Sequence, residues 1–441
     1  MRSIEGICPQ QHIDLIARES RNVRLPQTTR IRMFTLPPIA RRAHIAPFIA
    51  MDVMRDAKAL ETGTLAREGR DIVHLEVGEP GAQTPPPIRA AAMNALAGER
   101  IAYTDALGLP RLREAISSHY KRQYALDVPA SRVVVTTGSS GGFILAFLAM
   151  MDAGARIGIP APGYPAYRNI LAALGIIPVE IDCRAEAGHV LTAKAIEAAH
   201  AAHKLDAVLV MSPANPTGVL TPAGVLKDVA ETCARLGVWL ISDEIYHGLT
   251  YEGVAISEKV GAGFSPEIAS NKRETTALAF SQGAVVVNSF SKYFCMTGWR
   301  VGWLVVPERL VRPLECLAQN LAISVPYLSQ VAATAAFDAT EDLEAIKAVY
   351  AGNRAILGAA LPGMGLAPLP MDGAFYAYCD ISRYSNDAMD FSRRALHEAG
   401  VAITPGLDFD PVEGNRFVRL SYAGSEAAVI EGVKRLKGWL K

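Results

Sequence analysis

The feature that most constrains this chain is a set of short, almost wholly apolar runs: Val133–Thr136, Arg156–Ile159, Ala207–Met211, Val238–Ile241 and Val285–Val287. A longer stretch separates each run from the next. A strand with one face in water alternates polar and apolar residues, so a strand that does not alternate is covered on both faces. Such strands interleaved with helices predict an α/β fold: a mostly parallel sheet between two helical layers. One crossover helix is legible in detail, with Thr221 as its cap, Pro222 in its first turn, Leu226, Val229, Cys233 and Leu236 at helical spacing, and Gly237 as its terminator. The longest apolar stretch, Phe143–Met151, reads as a core helix, far short of the ~18 residues that span a bilayer.

From about Asp338 the mixture repeats in shorter pieces: a helix through Ile346 and Ile356, a strand at Phe375–Tyr378, a helix at Met389–Ala399, a strand at Phe417–Leu420 and a last helix from Ser425. A second, smaller α/β layer is expected there. At about 150 residues per domain, 441 residues suggest two or three domains. We expect a poorly ordered extension at 1–45, an N-terminal part of the small domain at 46–90, a large domain at 91–335 and a small C-terminal domain at 336–441. The extension holds eight arginines against Glu5, Asp14 and Glu19 and lacks the apolar centre of a secretory signal. It reads either as an organelle leader or as a tail upstream of a start at Met33. Residues 258–282, rich in Gly, Ser, Asn and charge, are expected to form a surface insertion or a lid.

Charge and cysteine content exclude several classes. The 44 basic and 44 acidic side chains cancel, which argues against a nucleic-acid binder, and an apolar half argues against disorder. The six cysteines are scattered without a C-x-x-C pair, so neither a disulfide framework nor a thiolate metal site is expected, and the setting is read as cytoplasmic.

Four polar clusters follow the carboxyl ends of the predicted strands, where open α/β sheets bind their ligands. Gly138-Ser139-Ser140-Gly141-Gly142 opens a helix, and its N–H groups and hydroxyls suit a phosphate, although such residues also build ordinary strand-to-helix turns. In Ser212-Pro213-Ala214-Asn215-Pro216-Thr217-Gly218 the prolines leave Asn215 as the polar side chain at the sheet edge, as ligand or as backbone cap. Asp243-Glu244-Ile245-Tyr246 puts a carboxylate at a strand end, as ligand or as helix cap. Lys292, in Ser289-Phe290-Ser291-Lys292, lies among apolar residues and is either exposed or held near neutrality for imine chemistry; Arg300 follows eight residues later as a candidate anion fork.

Together these motifs, with Met296-Thr297-Gly298-Trp299-Arg300, resemble the pyridoxal-phosphate-dependent aminotransferases of class I/II, fold type I, from about Ile45 to Leu440. The resemblance implies a three-layer α/β/α large domain, a smaller α/β domain and pyridoxal 5′-phosphate as cofactor. It implies that Lys292 carries the cofactor as an internal aldimine and then serves as general base, that Asp243 keeps the pyridine nitrogen protonated, and that Asn215 and Tyr246 bond the 3′ oxygen. By the same resemblance Ser139, Ser140, Ser289 and Arg300 hold the phosphate, Tyr164 stacks on the ring, and Arg419 with Gly78 receives the substrate α-carboxylate. Tyr103 would reach the phosphate of a neighbouring subunit, which implies a homodimer with shared active sites. The expected reaction is ping-pong transfer of an amino group from an L-amino acid to a 2-oxo acid, part of amino-acid metabolism, with no nucleic-acid or membrane partner. A C–S β-lyase on the same fold and an effector-sensing regulator are the alternatives; the regulator lacks a DNA-binding pattern in the first 45 residues. The interval from Tyr246 to Lys292 is longer than is usual for that family. The apolar segment Ile45–Met51 is expected to line the side-chain pocket and to favour neutral substrates.

Overall fold

The computed structural model describes residues 36–63, 71–184, 188–251 and 274–441. The chain divides into two units, Met1–Ala43 and His44–Lys441. Of the first, residues 36–43 are described, with one 3-10 turn at Arg41–Ala43. Most of the predicted insertion, 252–273, and the greater part of the arginine-rich extension lie outside the described residues.

The second unit opens with α1 (Ile49–Thr62), β1 (Val73–His74), α2 (Pro86–Gly98) and α3 (Pro110–Tyr124). It continues through β2 (Val133–Thr136), α4 (Gly138–Met150), β3 (Arg156–Ala161), α5 (Pro165–Leu174), β4 (Ile177–Asp182), α6 (Ala193–His203), β5 (Ala207–Met211), α7 (Ala223–Leu236) and β6 (Trp239–Asp243). Then come β7 (Val285–Ser289), β8 (Gly302–Val305), α8 (Glu308–Leu321), α9 (Tyr327–Ala336) and α10 (Thr340–Ala360). The last part holds β9 (Ala367–Pro368), β10 (Tyr376–Asp380), α11 (Ala388–Arg394), β11 (Val401–Ala402), β12 (Thr404–Pro405), β13 (Phe417–Ser421) and α12 (Glu426–Trp439).

Strands β2 to β8 form one seven-stranded sheet in the order β2-β8-β7-β6-β5-β3-β4. Only β8 runs against its neighbours, so the carboxyl ends of the other six share one edge. The absence of polar alternation has a direct cause: successive residues enter two different cores. Val134, Leu209, Ile241, Val285 and Val287 pack with Phe143 and Phe147 of α4 on one face. Val133, Val135, Val208, Leu240 and Val286 pack with Ile116 of α3 and with Leu226 and Val229 of α7 on the other. Helix α7 starts one residue later than expected: Pro222 takes the cap position and no side chain caps the end, while Gly237 (φ +70°) terminates it in the left-handed region as predicted.

Two strands of the sheet lie outside the expected set, although only β4 lacks an apolar run; β8 has one, buried throughout. β4 is an edge strand with exposed Ile177, Glu180 and Asp182. β8 is short and antiparallel and follows directly on the Arg300 motif. In the C-terminal part β12, β13, β10 and β9 make a four-stranded antiparallel sheet, and β1 pairs in parallel with β11, which ties residues 73–74 to the end of the chain. The predicted helix at Met389–Ala399 is α11 followed by a π-turn, Ala395–Ala399.

Candidate active site

The shared carboxyl edge of the large sheet opens into a cavity of about 280 Å³. Ser139, Ser140, Tyr164, Asn215, Asp243, Tyr246, Lys292, Arg300, Gly78 and Arg419 all line it, so ten of the residues expected from the sequence converge from segments more than 300 positions apart. Tyr103 does not: it is 81% exposed and lines a separate surface depression with Ile101 and Tyr327. Ser289 is buried behind the wall, where its hydroxyl donates to Val301 O (3.2 Å) and lies 2.8 Å from Ser291 Oγ. Ser291, not singled out from the sequence, is the serine of that pair that lines the cavity.

Asp243 ends β6 and is 2% exposed. The amide of Ile245 donates to its Oδ1 at 3.1 Å, and the hydroxyl of Tyr167, fully buried on α5, donates to its Oδ2. Burial pushes this carboxyl up to about 6 against the opposing effect of the Tyr167 hydroxyl, so it is charged at neutral pH. Tyr167, three residues beyond the expected Tyr164 and not itself among the expected site residues, orients the acid. Tyr164 itself stands at the start of α5 and packs edge-on against Phe48, with ring centroids 5.8 Å apart.

Lys292 follows β7, and its amine donates to the carbonyl of Gly78 while lying 5.7 Å over the ring of Tyr246. Burial, reinforced by the charge of Arg419, lowers this amine to about 8, which eases loss of its proton. The Tyr246 hydroxyl pairs with that of Tyr376 at 2.6 Å. Tyr376, expected only as part of a strand, lines the site.

Arg419 on β13 is 2% exposed and has no carboxylate partner among the described residues. Its Nη1 donates to Asn215 Oδ1 (2.9 Å) and its Nη2 to Glu76 O (2.8 Å), its Nε is unpartnered, and its guanidinium lies 4.2 Å over the Tyr376 ring. A buried cation with no carboxylate in contact is costly unless an anion arrives, which suits it to receive one; Asp408 acts on it only through space. Gly78 is needed beside it: a Cβ there would stand 2.6 Å from the Tyr376 hydroxyl.

At the other end, Gly138 (φ +72°), Ser139 and Ser140 open α4, directing unpaired N–H groups and the positive end of the helix into the cavity. A Cβ on Gly138 would come within 2.6 Å of Arg300 Nη2 and push the guanidinium back from this turn, and the φ of +72° itself favours glycine here. The arrangement is an anion cradle, a titratable amine, a buried acid and a second anion receptor in one hollow.

Residues 70–436 match the family described as aminotransferase class I and II. The chain is 44% identical over 405 residues, 91% of its length and 98% of the relative's, to a valine–pyruvate aminotransferase of Mycobacterium tuberculosis. It superposes with a TM-score of 0.85 and 44% identity on the crystal structure of an aminotransferase from the same organism, covering 92% of this chain and 99% of that one. An aspartate aminotransferase from Thermus thermophilus, solved with maleate, matches with a TM-score of 0.80 at 30% identity over 91% of this chain and 100% of that one.

Proposed function

The chain belongs to the class I and II aminotransferases, it moves an amino group from an L-amino acid to a 2-oxo acid, and on that premise we propose a neutral aliphatic donor, pyridoxal 5′-phosphate as cofactor and a cytoplasmic homodimer. The observation that carries the donor assignment is the charge layout of the cavity. Arg419 offers one buried receptor for the α-carboxylate. Phe48, Ala50, Met51 and Met54 supply an apolar wall, and Arg300, on the phosphate cradle, is the one other guanidinium among the described lining residues. A donor with a second carboxylate would meet methionines. The valine and pyruvate in the name of the 44%-identical relative support the same choice.

The residues present fit a phosphorylated pyridine carbaldehyde. The Gly138 turn and Arg300 match a dianion, Tyr164 offers a ring face, Asp243 a buried acid for a ring nitrogen, and Lys292 an amine of lowered basicity. When bound, that group supplies an electron sink that stabilises negative charge at the substrate Cα.

The chain's own residues do the rest. Arg419 holds the α-carboxylate and fixes the orientation of the Cα–H bond. Lys292 Nζ, of lowered basicity and held at the Gly78 carbonyl, is the amine that would take the proton from the substrate Cα. Asp243, kept charged and aimed by Tyr167 and the Ile245 amide, holds a proton on the ring nitrogen. Asn215, with its Oδ1 occupied by Arg419, has its Nδ2 to donate, and the Tyr246 hydroxyl stands beside it. Because the same receptor serves amino acid and 2-oxo acid, the two half-reactions use one pocket in turn.

The dimer rests on Tyr103, Ile101, Leu321 and Ile323, large side chains exposed by 45–81% outside the cavity. The cytoplasmic setting rests on the scattered cysteines; no helix among the described residues is long and apolar enough to cross a membrane. The pairing of β1 with β11 supports grouping 46–90 with 336–441 as one small domain beside 91–335. The test is a donor panel with pyruvate and 2-oxoglutarate as acceptors, scored for keto acid and for ammonia. Valine and other neutral donors should give keto acid without ammonia; exclusive use of aspartate or glutamate, or ammonia release, overturns the reading. The lyase and regulator alternatives are not favoured by relatives that are aminotransferases.

A further inference from the structure

Helix α1 begins without a cap of its own. Phe48 holds the cap position in an extended conformation and makes no capping hydrogen bond, so the first amides of the helix need another acceptor. They find it in a residue more than 350 positions away: Ile49 N donates to Asp408 Oδ1 at 3.1 Å and Ala50 N to Asp408 Oδ2 at 3.0 Å. Asp408 is 3% exposed and ends a single 3-10 turn, Gly406–Asp408. That turn is itself pinned to the cofactor side of the site. Arg168 on α5 donates to Asp408 O at 2.7 Å and to Phe409 O at 3.3 Å, and Gly163 N donates to Phe409 O at 3.0 Å.

The helix turn that Asp408 holds is the one that carries the apolar wall. Phe48, Ala50, Met51 and Met54 line the cavity, whereas Asp408 does not. Phe48 touches Tyr164, the first residue ahead of the helix that Arg168 belongs to. One carboxylate therefore ties the substrate-facing turn to the loop and helix that flank the cofactor region. Asparagine would keep one acceptor oxygen but set an NH2 donor against the other amide, and alanine could serve neither.

We propose that Asp408 is a positioning residue for substrate choice: by capping α1 it sets how closely Phe48, Met51 and Met54 stand to the donor's side chain, and so which length of neutral chain is preferred. This rests on the reading of that wall as the side-chain pocket. It requires no contact between Asp408 and the substrate.

The experiment follows the donor half-reaction of the holoenzyme by cofactor absorbance with 2-aminobutyrate, valine and leucine, for wild type, Asp408→Asn and Asp408→Ala. Hydrogen exchange of residues 48–54 is measured in parallel. For Asp408→Ala we expect the half-saturating concentration of the preferred donor to rise about tenfold, the scale of a lost helix cap, with the limiting rate within about threefold of wild type. The preference among the three donors should flatten by about fivefold or more, the 48–54 amides should exchange faster, and Asp408→Asn should lie between. Donor preferences unchanged within about twofold in the variants, or a limiting rate that falls alike for all donors, would overturn the proposal. If Asp408→Ala does not fold, Asp408→Asn decides on the same criteria. Failure of wild type itself to react with neutral donors would instead overturn the pocket reading, leaving the two outcomes distinct.

Discussion

Replacing Tyr167 by phenylalanine removes one oxygen from a fully buried position and leaves the ring contacts with Phe143 (5.2 Å) and Tyr164 (5.3 Å) in place. What is lost is the hydroxyl that donates to Asp243 Oδ2, one of the two hydrogen bonds that favour the charged acid; the other is the Ile245 amide. Burial already raises Asp243 to about 6, so the group lies close to the range in which its protonation matters. A hydrogen bond to a charged acceptor contributes about 1.5–3 kcal/mol, and a pKa unit corresponds to about 1.4 kcal/mol, so even the lower end of that range moves Asp243 up by about one unit. The sign follows from which form works. On the proposed role the charged acid would hold the ring nitrogen, so activity should fall as pH falls through its pKa, and a higher pKa should move that loss to higher pH. The assay is kcat/KM from pH 5.5 to 9 for wild type and Tyr167→Phe. The acid limb of the variant should lie about one unit higher, while the two profiles converge on the plateau, and the separation is independent of any common displacement by the bound cofactor. Superposable acid limbs would refute the assignment of Tyr167 to Asp243, whatever the variant does to overall rate.

Lys292→Ala should abolish turnover and the visible absorbance of the purified protein; turnover that persists in this variant removes the base assigned here. Gly138→Ala places a Cβ 2.6 Å from Arg300 Nη2 at a residue with φ +72°, and cofactor affinity measured by titration should fall at least about tenfold; an unchanged affinity argues against the cradle. His74, bridging Glu76 (2.8 Å) and Glu61 (3.0 Å), is raised from 6.5 to about 9, chiefly by the hydrogen bond to Glu76. A raised pKa means that protonation favours the folded state, so the stabilisation is full below 6.5 and is lost as pH rises through about 9. The Tm difference between wild type and His74→Asn should accordingly be largest near pH 6 and shrink towards pH 10; a difference independent of pH counts against the bridge.

What could be read in the sequence follows a physical division. Strands β2, β5, β6 and β7 are legible because each sends alternate residues into two separate cores, which leaves an unbroken apolar run. β4 is not, because an edge strand with Pro178 and several exposed side chains has no such run, and its identity is set by its pairing with β3. The site residues that could be named from the sequence, Lys292, Asp243, Asn215 and Arg300, lie within motifs whose spacing the strand-to-loop junctions dictate. The family resemblance then added Arg419, which by itself reads as an ordinary strand arginine.

The residues that escaped share a different property: each acts through a partner remote in sequence. Tyr167 looks like a core aromatic on α5 until β6 brings Asp243 to it across 76 positions, and Tyr376 looks like a sheet residue until it meets Tyr246 across 130. Asp408 lies in a turn that promises nothing, and its role shows only once the start of α1 is located, with Phe48 in the cap position where Ser, Thr, Asp or Asn would be favoured. An uncapped helix start in a buried setting implies an acceptor supplied from elsewhere. The same reasoning applies to Arg419, whose missing carboxylate contact points outward to a ligand where the missing cap of α1 points inward to Asp408. Unsatisfied groups thus divide into those the fold completes and those that await a ligand, and here the two kinds lie close together: the Arg419 guanidinium stands 4.7 Å over the ring of Phe409, the residue after Asp408.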